Sequence, residues 1–337
     1  MSYAIAIVGA TGLVGTTLLS LLEEKQFPIK RLFLVASQHS VGKELNFKNQ
    51  SIPIFHLHDF DFHQTQIAFF CVNSELAANY IPKATAAGNI VIDKSHHYRN
   101  HKDVPLIVPE VNLNQLANFR KLNIIASPNC TTIPIAVGLK PIYDAVGIDR
   151  INIATYQSVS GTGKEAIVEL TEQTRKLLSQ ETIEPKVYMQ QIAFNVLPFI
   201  DDVQSNGYTR EEMKMVWEIK KIFDDESIAI NPTAVRVPVY CGHAVSFHIV
   251  TKQKKSTLEA LEILSNAPGV KLTNDYASPT PVSHAAGNDE VYIGRIREDI
   301  SHPKGLNLWI VADNLRKGAA LNALQIAEHL VKNNYLS

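Results

Sequence analysis

The sequence predicts an α/β chain in two parts: a doubly wound N-terminal domain on a mostly parallel sheet, then an α+β domain on a mixed or antiparallel sheet. Three observations carry the prediction. Short apolar runs alternate with helical periodicity through the first third of the chain, and the first of these runs ends in a glycine loop. Around residue 150 the texture changes, and longer strands follow, separated by helices or long loops. A length of 337 residues suits two domains.

Taken in order, Tyr3–Val8 is a short apolar strand that runs directly into Gly9-Ala10-Thr11-Gly12-Leu13-Val14-Gly15. Leu18, Leu19, Leu21 and Leu22 then mark a helix. Strand, glycine turn and helix in that order let backbone amides and the helix dipole approach a pyrophosphate. The second strand, Arg31–Ala36, ends in Ser37-Gln38-His39-Ser40-Val41-Gly42-Lys43. No carboxylate stands there to take a ribose 2′-hydroxyl, whereas Ser37, Ser40, His39 and Lys43 would tolerate a 2′-phosphate, which favours NADP over NAD. Further strands are predicted at 66–72, 89–93, 105–108 and 123–126, with a helix between Leu76 and Ala87.

Ser127-Pro128-Asn129-Cys130-Thr131-Thr132 follows the last of these strands and precedes helical periodicity from Ile133 to Ala145. A thiol at a helix N-terminus meets unpaired N–H groups and the positive end of the dipole, which stabilise the thiolate and make a nucleophile. Pro128 delays the helix, while Asn129 and the two threonines offer polar side chains to its cap. Beyond residue 150 the predicted strands are 234–240, 244–252, 290–297 and 306–313. Ile167, Leu170, Thr171, Thr174, Leu177 and Leu178 form one packing stripe of a helix, and a last amphipathic helix spans about 318–332. The run from His56 to His63 alternates histidines with apolar residues as an exposed strand or loop would, so we read no metal site there.

A net charge of −1 provides no basic field for nucleic acid and no polybasic membrane patch. An anionic ligand must therefore be met by local charges. Cys71, Cys130 and Cys241 are too few and scattered for a disulfide framework, and no apolar run approaches about 18 residues, so a cytoplasmic protein is expected.

The segments GATGLVG at 9–15, SPNCTT at 127–132, YQSVSGTG at 156–163, REEMK at 210–214, AVRVPVYCGHAVS at 234–246 and DNLRKGAALNA at 313–323 occur together in this order. With them the chain resembles the aspartate-β-semialdehyde dehydrogenase family over nearly its whole length. The resemblance implies an NADP-binding Rossmann domain at 1–128, on which the helix at 316–337 packs back, and an α+β catalytic and dimerisation domain at 129–315. It implies NADPH-dependent reductive dephosphorylation of L-aspartyl-4-phosphate to aspartate semialdehyde by a homodimer or tetramer, in the branch leading to lysine, threonine and methionine.

By the same resemblance Cys130 attacks the acyl carbon, His243 is the acid/base at sulfur or alkoxide, and Gln157 orients the acyl-enzyme. Arg236 clamps the α-carboxylate, Glu211 takes the ammonium group, and Arg99, Asn129 and Lys214 bind the departing phosphate. The cofactor set is Gly9, Thr11, Gly12, Leu13, Val14, Gly15, Ser37, Ser40, Gly161 and Asn314. Judged singly, Arg236 and His243 read as packed sheet residues, and Glu211 with Lys214 as a surface helix pair. Two rival readings stay open: N-acetyl-γ-glutamyl-phosphate reductase, which does the same chemistry on a longer acylated substrate, and a noncatalytic NADP-binding homologue.

Overall fold

The computed structural model describes residues 2–273 and 278–335. It divides into two compact units, Met1–Asn129 with Ala319–Ser337, and Cys130–Gly318. No helix among the described residues is long and apolar enough to cross a membrane.

The first unit begins β1 (Tyr3–Val8), α1 (Leu13–Glu24) and β2 (Ile29–Ala36). It continues through β3 (Glu44–Phe47), β4 (Gln50–His56), β5 (Ile67–Phe70), α2 (Ser74–Ala86), β6 (Ile90–Asp93), α3 (Pro109–Asn112) and β7 (Ile124–Ala126). Its sheet runs β3-β4-β2-β1-β5-β6-β7 and is parallel except for the β3–β4 pair at one edge. The chain moves from β1 to β2 on one side and later to β5 on the other, so the loop after β1 lies at the topological switch point, where ligands bind in such sheets.

Two expectations for this unit change. Residues 105–108 form no strand, only the bridge Leu106 to Ala126, because Pro109 ends the extension by opening α3. The β3–β4 hairpin was not expected. It turns on Lys48 and Asn49, both with positive φ (48° and 60°), and Lys-Asn lacks the glycine that usually advertises such a turn. The His56–His63 run finishes β4 and then makes two short 3₁₀ turns, where His56 and His58 meet Asp59 and His63 meets Asp61.

The second unit holds α4 (Thr132–Val146), β8 (Ile148–Gln157), α5 (Lys164–Leu178), α6 (Arg210–Phe223) and β9 (Ala229–Arg236). After these come β10 (His243–Thr251), α7 (Thr257–Ser265), β11 (Val270–Leu272), β12 (Val291–Glu298) and β13 (Gly305–Ala312). Its sheet runs β11-β12-β13-β10-β8-β9 and is mixed: β8–β9 and β11–β12 are parallel, the other pairs antiparallel. Helix α4 lies close on this sheet at Gly138, where a Cβ would overlap Ile310 of β13. The ninth strand stops at Arg236 rather than running to 240, since Pro238 has no N–H to give a ladder.

The predicted stripe on α5 is displaced. Its buried positions are Ala166, Glu169, Leu170 and Gln173, whereas Leu178 is 74% exposed. The polar pair is retained because it holds the following loop: Gln173 Oε1 accepts from the Ile192 and Ala193 amides at 2.9 and 3.1 Å, and Glu169 Oε2 accepts from those of Lys186 and Val187. After β13 a π-helical turn at Arg316–Ala320 leads to α8 (Leu321–Lys332). This last helix belongs to the first unit, where Leu321, Leu324, Ala327 and Leu330 share one core with Leu18, Leu21 and Leu22 of α1.

Candidate active site

Strand polarity gathers the reactive groups of the second unit. Strands β8 and β9 run parallel, so their C-terminal residues Gln157 and Arg236 are register partners. Strand β10 runs the other way, so its first residue, His243, comes to the same edge, where it pairs with Ala312 at the end of β13. Asn314 follows immediately. Four side chains that the sequence scatters over about 160 positions thus share one end of one sheet.

Cys130 lies one residue before Thr131, the N-cap of α4, as the sequence predicted for a thiol at a helix start. The cap itself differs from expectation. Thr131 makes no side-chain cap hydrogen bond, and the Thr132 hydroxyl is buried without a hydrogen-bond partner. The sulfur sits 3.3 Å from His243 Nε2. Gly318 makes room beside it, since a Cβ there would lie 2.9 Å from the Cys130 carbonyl oxygen.

His243 is 1% exposed. Burial first, then the nearby Arg236 charge, pushes its pKa down to about 3. Its Nδ1 receives the Ser158 main-chain N–H at 3.1 Å.

Arg236 is buried and donates from Nη1 to the Ser158 carbonyl at 2.8 Å, while its Nε has no hydrogen-bond partner. It lines a cavity of about 790 Å³ together with Thr162, Tyr188, Leu197, Phe199 and Asp201. Glu211 and Lys214 are not the surface pair that their spacing suggested. Glu211 is 6% exposed, its Oε1 accepts from Gln157 Nε2 at 3.3 Å, and its Oε2 accepts from Lys214 at 3.0 Å. Lys214 also reaches Asp201 at 2.8 Å. Burial opposes the lysine charge, but Glu211 and Asp201 outweigh it and lift its pKa above the ordinary value. The site thus sets a guanidinium near the histidine and a carboxylate–ammonium–carboxylate run beyond Gln157.

Gly161 and Asn314, expected at the cofactor, belong to the second unit. A Cβ at Gly161 would stand 3.1 Å from Arg236 Nη1 and 3.3 Å from His243 Cε1. Asn314 is 2% exposed, and its Oδ1 accepts from Gly242 N, Ser158 Oγ and Ser160 Oγ at 2.8, 3.0 and 3.2 Å. Arg99 and Asn129 belong to the first unit, where Arg99 Nη2 donates to the Lys94 carbonyl at 2.8 Å. Sequence reasoning missed Ser158 and Ser160, although both lie inside the YQSVSGTG segment. It also missed Asp201, which carries no motif and has φ 70° in the loop before α6.

In the first unit, Gly9 leaves β1 with φ 85°, and a Cβ there would overlap the Cys71 carbonyl oxygen. A Cβ on Gly15 would overlap that of Gly9. The chain thereby folds tightly enough to present the start of α1, capped by exposed Gly12 and followed by Leu13 and Val14, toward a phosphate. At the end of β2, Ser37, His39 and Lys43 are exposed, and the Ser40 hydroxyl lies 3.2 Å from that of Thr11. These residues fit a dinucleotide carrying a 2′-phosphate.

A dinucleotide loop and a helix-start cysteine against a histidine define a class of nicotinamide-dependent aldehyde oxidoreductase, and the comparisons agree. Residues 4–119 match the family model of the semialdehyde dehydrogenase NAD binding domain, and residues 139–317 that of the semialdehyde dehydrogenase dimerisation domain. Aspartate-semialdehyde dehydrogenase of Shewanella sp. (strain DB6705) is 52% identical over 99% of both chains, and that of Legionella pneumophila 53% identical over 97% of this chain and 95% of its own. The crystal structure of aspartate semialdehyde dehydrogenase II from Vibrio cholerae superposes with a TM-score of 0.97 at 52% identity, covering 98% of this chain and 99% of that one. A second structure of the Vibrio enzyme, complexed with ASA, gives the same TM-score at 51% identity. The chain belongs to the aspartate-semialdehyde dehydrogenase family. It is an oxidoreductase with an NAD(P)-binding domain.

Proposed function

We propose that the chain uses NADPH to convert L-aspartyl-4-phosphate into L-aspartate 4-semialdehyde and phosphate through a thioester on Cys130. The observation that carries the mechanism is the Cys130 sulfur 3.3 Å from His243 Nε2 at the start of α4. The sulfur attacks the acyl carbon, a C–S bond forms as the C–O bond to phosphate breaks, and phosphate leaves with the electron pair. NADPH, when bound, supplies the hydride that reduces the thioester carbon. The resulting oxyanion re-forms a carbonyl and expels the Cys130 thiolate. Gln157 orients the acyl group, and His243 is the acid/base that moves the proton at sulfur or at the oxygen. Arg236 receives the α-carboxylate, Glu211 the ammonium group, and Lys214, Arg99 and Asn129 the phosphate.

The full-length relatives named aspartate-semialdehyde dehydrogenase support the aspartyl substrate over the N-acylated one of the rival reductase. Gly9, Thr11, Gly12, Leu13, Val14, Gly15, Ser37, Ser40, Gly161 and Asn314 hold the cofactor. Residues 1–128 with 316–337 serve as the cofactor domain and 129–315 as the catalytic and dimerisation domain. The match to a dimerisation domain supports a homodimer. The product feeds lysine, threonine and methionine synthesis. Phosphate-dependent reduction of NADP with aspartate semialdehyde tests the reading. Turnover with the N-acetylated glutamate semialdehyde instead, or with neither aldehyde, would overturn it.

A further inference from the structure

We propose that Asp201 is a positioning residue that lets the site hold two ammonium groups at once, keeping Lys214 neutralised while the ammonium group of the substrate occupies Glu211. This rests on the function proposed above, in which Glu211 takes the α-ammonium group and Lys214 the phosphate. The Lys214 ammonium is shared by two carboxylates, Asp201 Oδ2 at 2.8 Å and Glu211 Oε2 at 3.0 Å. The other Glu211 oxygen accepts from Gln157 at 3.3 Å. Glu211 is 6% exposed and the Lys214 side chain 15%, so water does little to screen these charges. A substrate ammonium arriving at Glu211 would set two positive charges against one buried carboxylate, an excess that is costly away from water. Asp201 supplies the second negative charge.

The chain holds Asp201 in that place. Its backbone has φ 70°, a left-handed conformation that Asp tolerates better than most residues, and its Oδ1 accepts from the Asp202 amide at 2.9 Å, which leaves Oδ2 for Lys214. The loop that follows is pinned to the start of α6, where the Asp202 carbonyl accepts from Arg210 N at 2.8 Å and Val203 bridges Thr209. Lys214 is therefore met from two directions, by Glu211 one turn back on α6 and by Asp201 from the loop. Burial opposes the Asp201 charge, but the Lys214 contact and the Asp202 amide outweigh it and hold its carboxyl below the ordinary value. Asp201 and Arg236 line the same cavity of about 790 Å³, so the carboxylate stands at the space where Arg236 would receive the α-carboxylate of the substrate.

Phosphate meets the opposite situation. It is an anion that competes with Asp201 for the Lys214 ammonium, so removing the Asp201 charge should help phosphate while it hurts the amine. A residue that only shaped the loop would disturb both substrates in one direction.

The test is Asp201→Asn in the full protein, assayed for phosphate-dependent reduction of NADP with aspartate semialdehyde. Asparagine suits the left-handed backbone and keeps an oxygen for the Asp202 amide, so the loop should stand, which a thermal melt checks. The expected result is a KM for aspartate semialdehyde raised roughly 10-fold, with the KM for phosphate unchanged or lower. Asp201→Ser removes the charge with a different side chain and should give the same split. An unchanged KM for the aldehyde, whatever happens to kcat, would overturn the proposal, and so would KM values for aldehyde and phosphate that rise together. The wild type separates the two levels. Normal wild-type turnover beside an unmoved split sinks this role alone, whereas a wild type that turns over no aspartate semialdehyde sinks the proposed function and this role with it.

Discussion

Cys130 differs from the other two cysteines in what faces its sulfur. Burial pushes the Cys71 thiol up to about 12, and burial with the Asp313 carboxylate does the same to Cys241, whereas Cys130 meets a histidine at a helix start. Iodoacetamide followed by peptide mass spectrometry should therefore find Cys130 modified well before either neighbour. Modification of Cys241 first would remove the thiolate argument. The predicted strand at 66–72 takes in Cys71, and Cys241 falls between two predicted strands. They lie just past β5 and in the turn before β10, so the low reactivity expected of them comes from burial rather than from a ladder. Arg236 offers a sharper test. Nη1 is spent on the Ser158 carbonyl while Nε is buried without an acceptor, so a planar fork stands half satisfied beside a cavity. Lysine keeps the charge but loses the fork. A charged bidentate contact is worth on the order of 1.5 to 3 kcal/mol, so Arg236→Lys should lose roughly 10- to 150-fold in kcat/KM. If Arg236 only packs the sheet, the same variant will melt earlier while its folded fraction keeps its kcat/KM.

At the scale of elements, the first unit was largely legible because its strands are short, apolar and bounded by turn residues, a pattern that survives without tertiary context. β1 was placed residue for residue, and β2, β5 and β6 within two residues at either end. The failures have two causes: local breakers such as Pro109 and Pro238 end strands early, and partners distant in sequence decide the rest. The β3–β4 hairpin turns on Lys48-Asn49 without the glycine that usually marks such a turn, and the inner face of α5 is set by a loop whose amides need Glu169 and Gln173. The active edge was legible only as separate motifs; the strand directions that join Gln157, Arg236 and His243 are not encoded in any one of them. The end of β2 carries a prediction of its own. Ser37 is exposed at the position where an acidic residue would hold a ribose diol, and Lys43 is exposed six residues on. Ser37→Asp should move the ratio of kcat/KM for NADP to that for NAD toward NAD, by repelling the 2′-phosphate and accepting from the hydroxyls. An unchanged ratio would mean that the 2′-phosphate is read elsewhere.

For the whole molecule, the pH dependence of stability should carry the mark of His243. The ordinary imidazole pKa is 6.5, and burial with Arg236 lowers it to about 3 in the folded state. Between those values the unfolded chain binds a proton that the folded chain refuses. The stability at issue is fully present above pH 6.5 and is lost as pH falls through that window, at about 1.4 kcal/mol per pH unit. Two strongly lowered carboxylates act lower down. Asp299, held at about 2 chiefly by the Ser301 amide and hydroxyl, and Glu259, held at about 2 by Lys255 and the Ser256 amide, start from 3.8 and 4.5 and lose their contributions only below those values. Burial also lowers His329 and raises Asp93 and Glu328, so the comparison with a His243 variant, in which these groups cancel, isolates the histidine between pH 7 and 5. Both tryptophans, Trp217 on α6 and Trp309 on β13, lie in the second unit, so their fluorescence follows the unfolding of the part that contains His243. Urea unfolding read this way should weaken between pH 7 and 5 by about 2 kcal/mol more in the wild type than in His243→Gln, whose amide does not titrate. Parallel curves for the two proteins would mean that the folded state accepts a proton on His243 as readily as the unfolded chain.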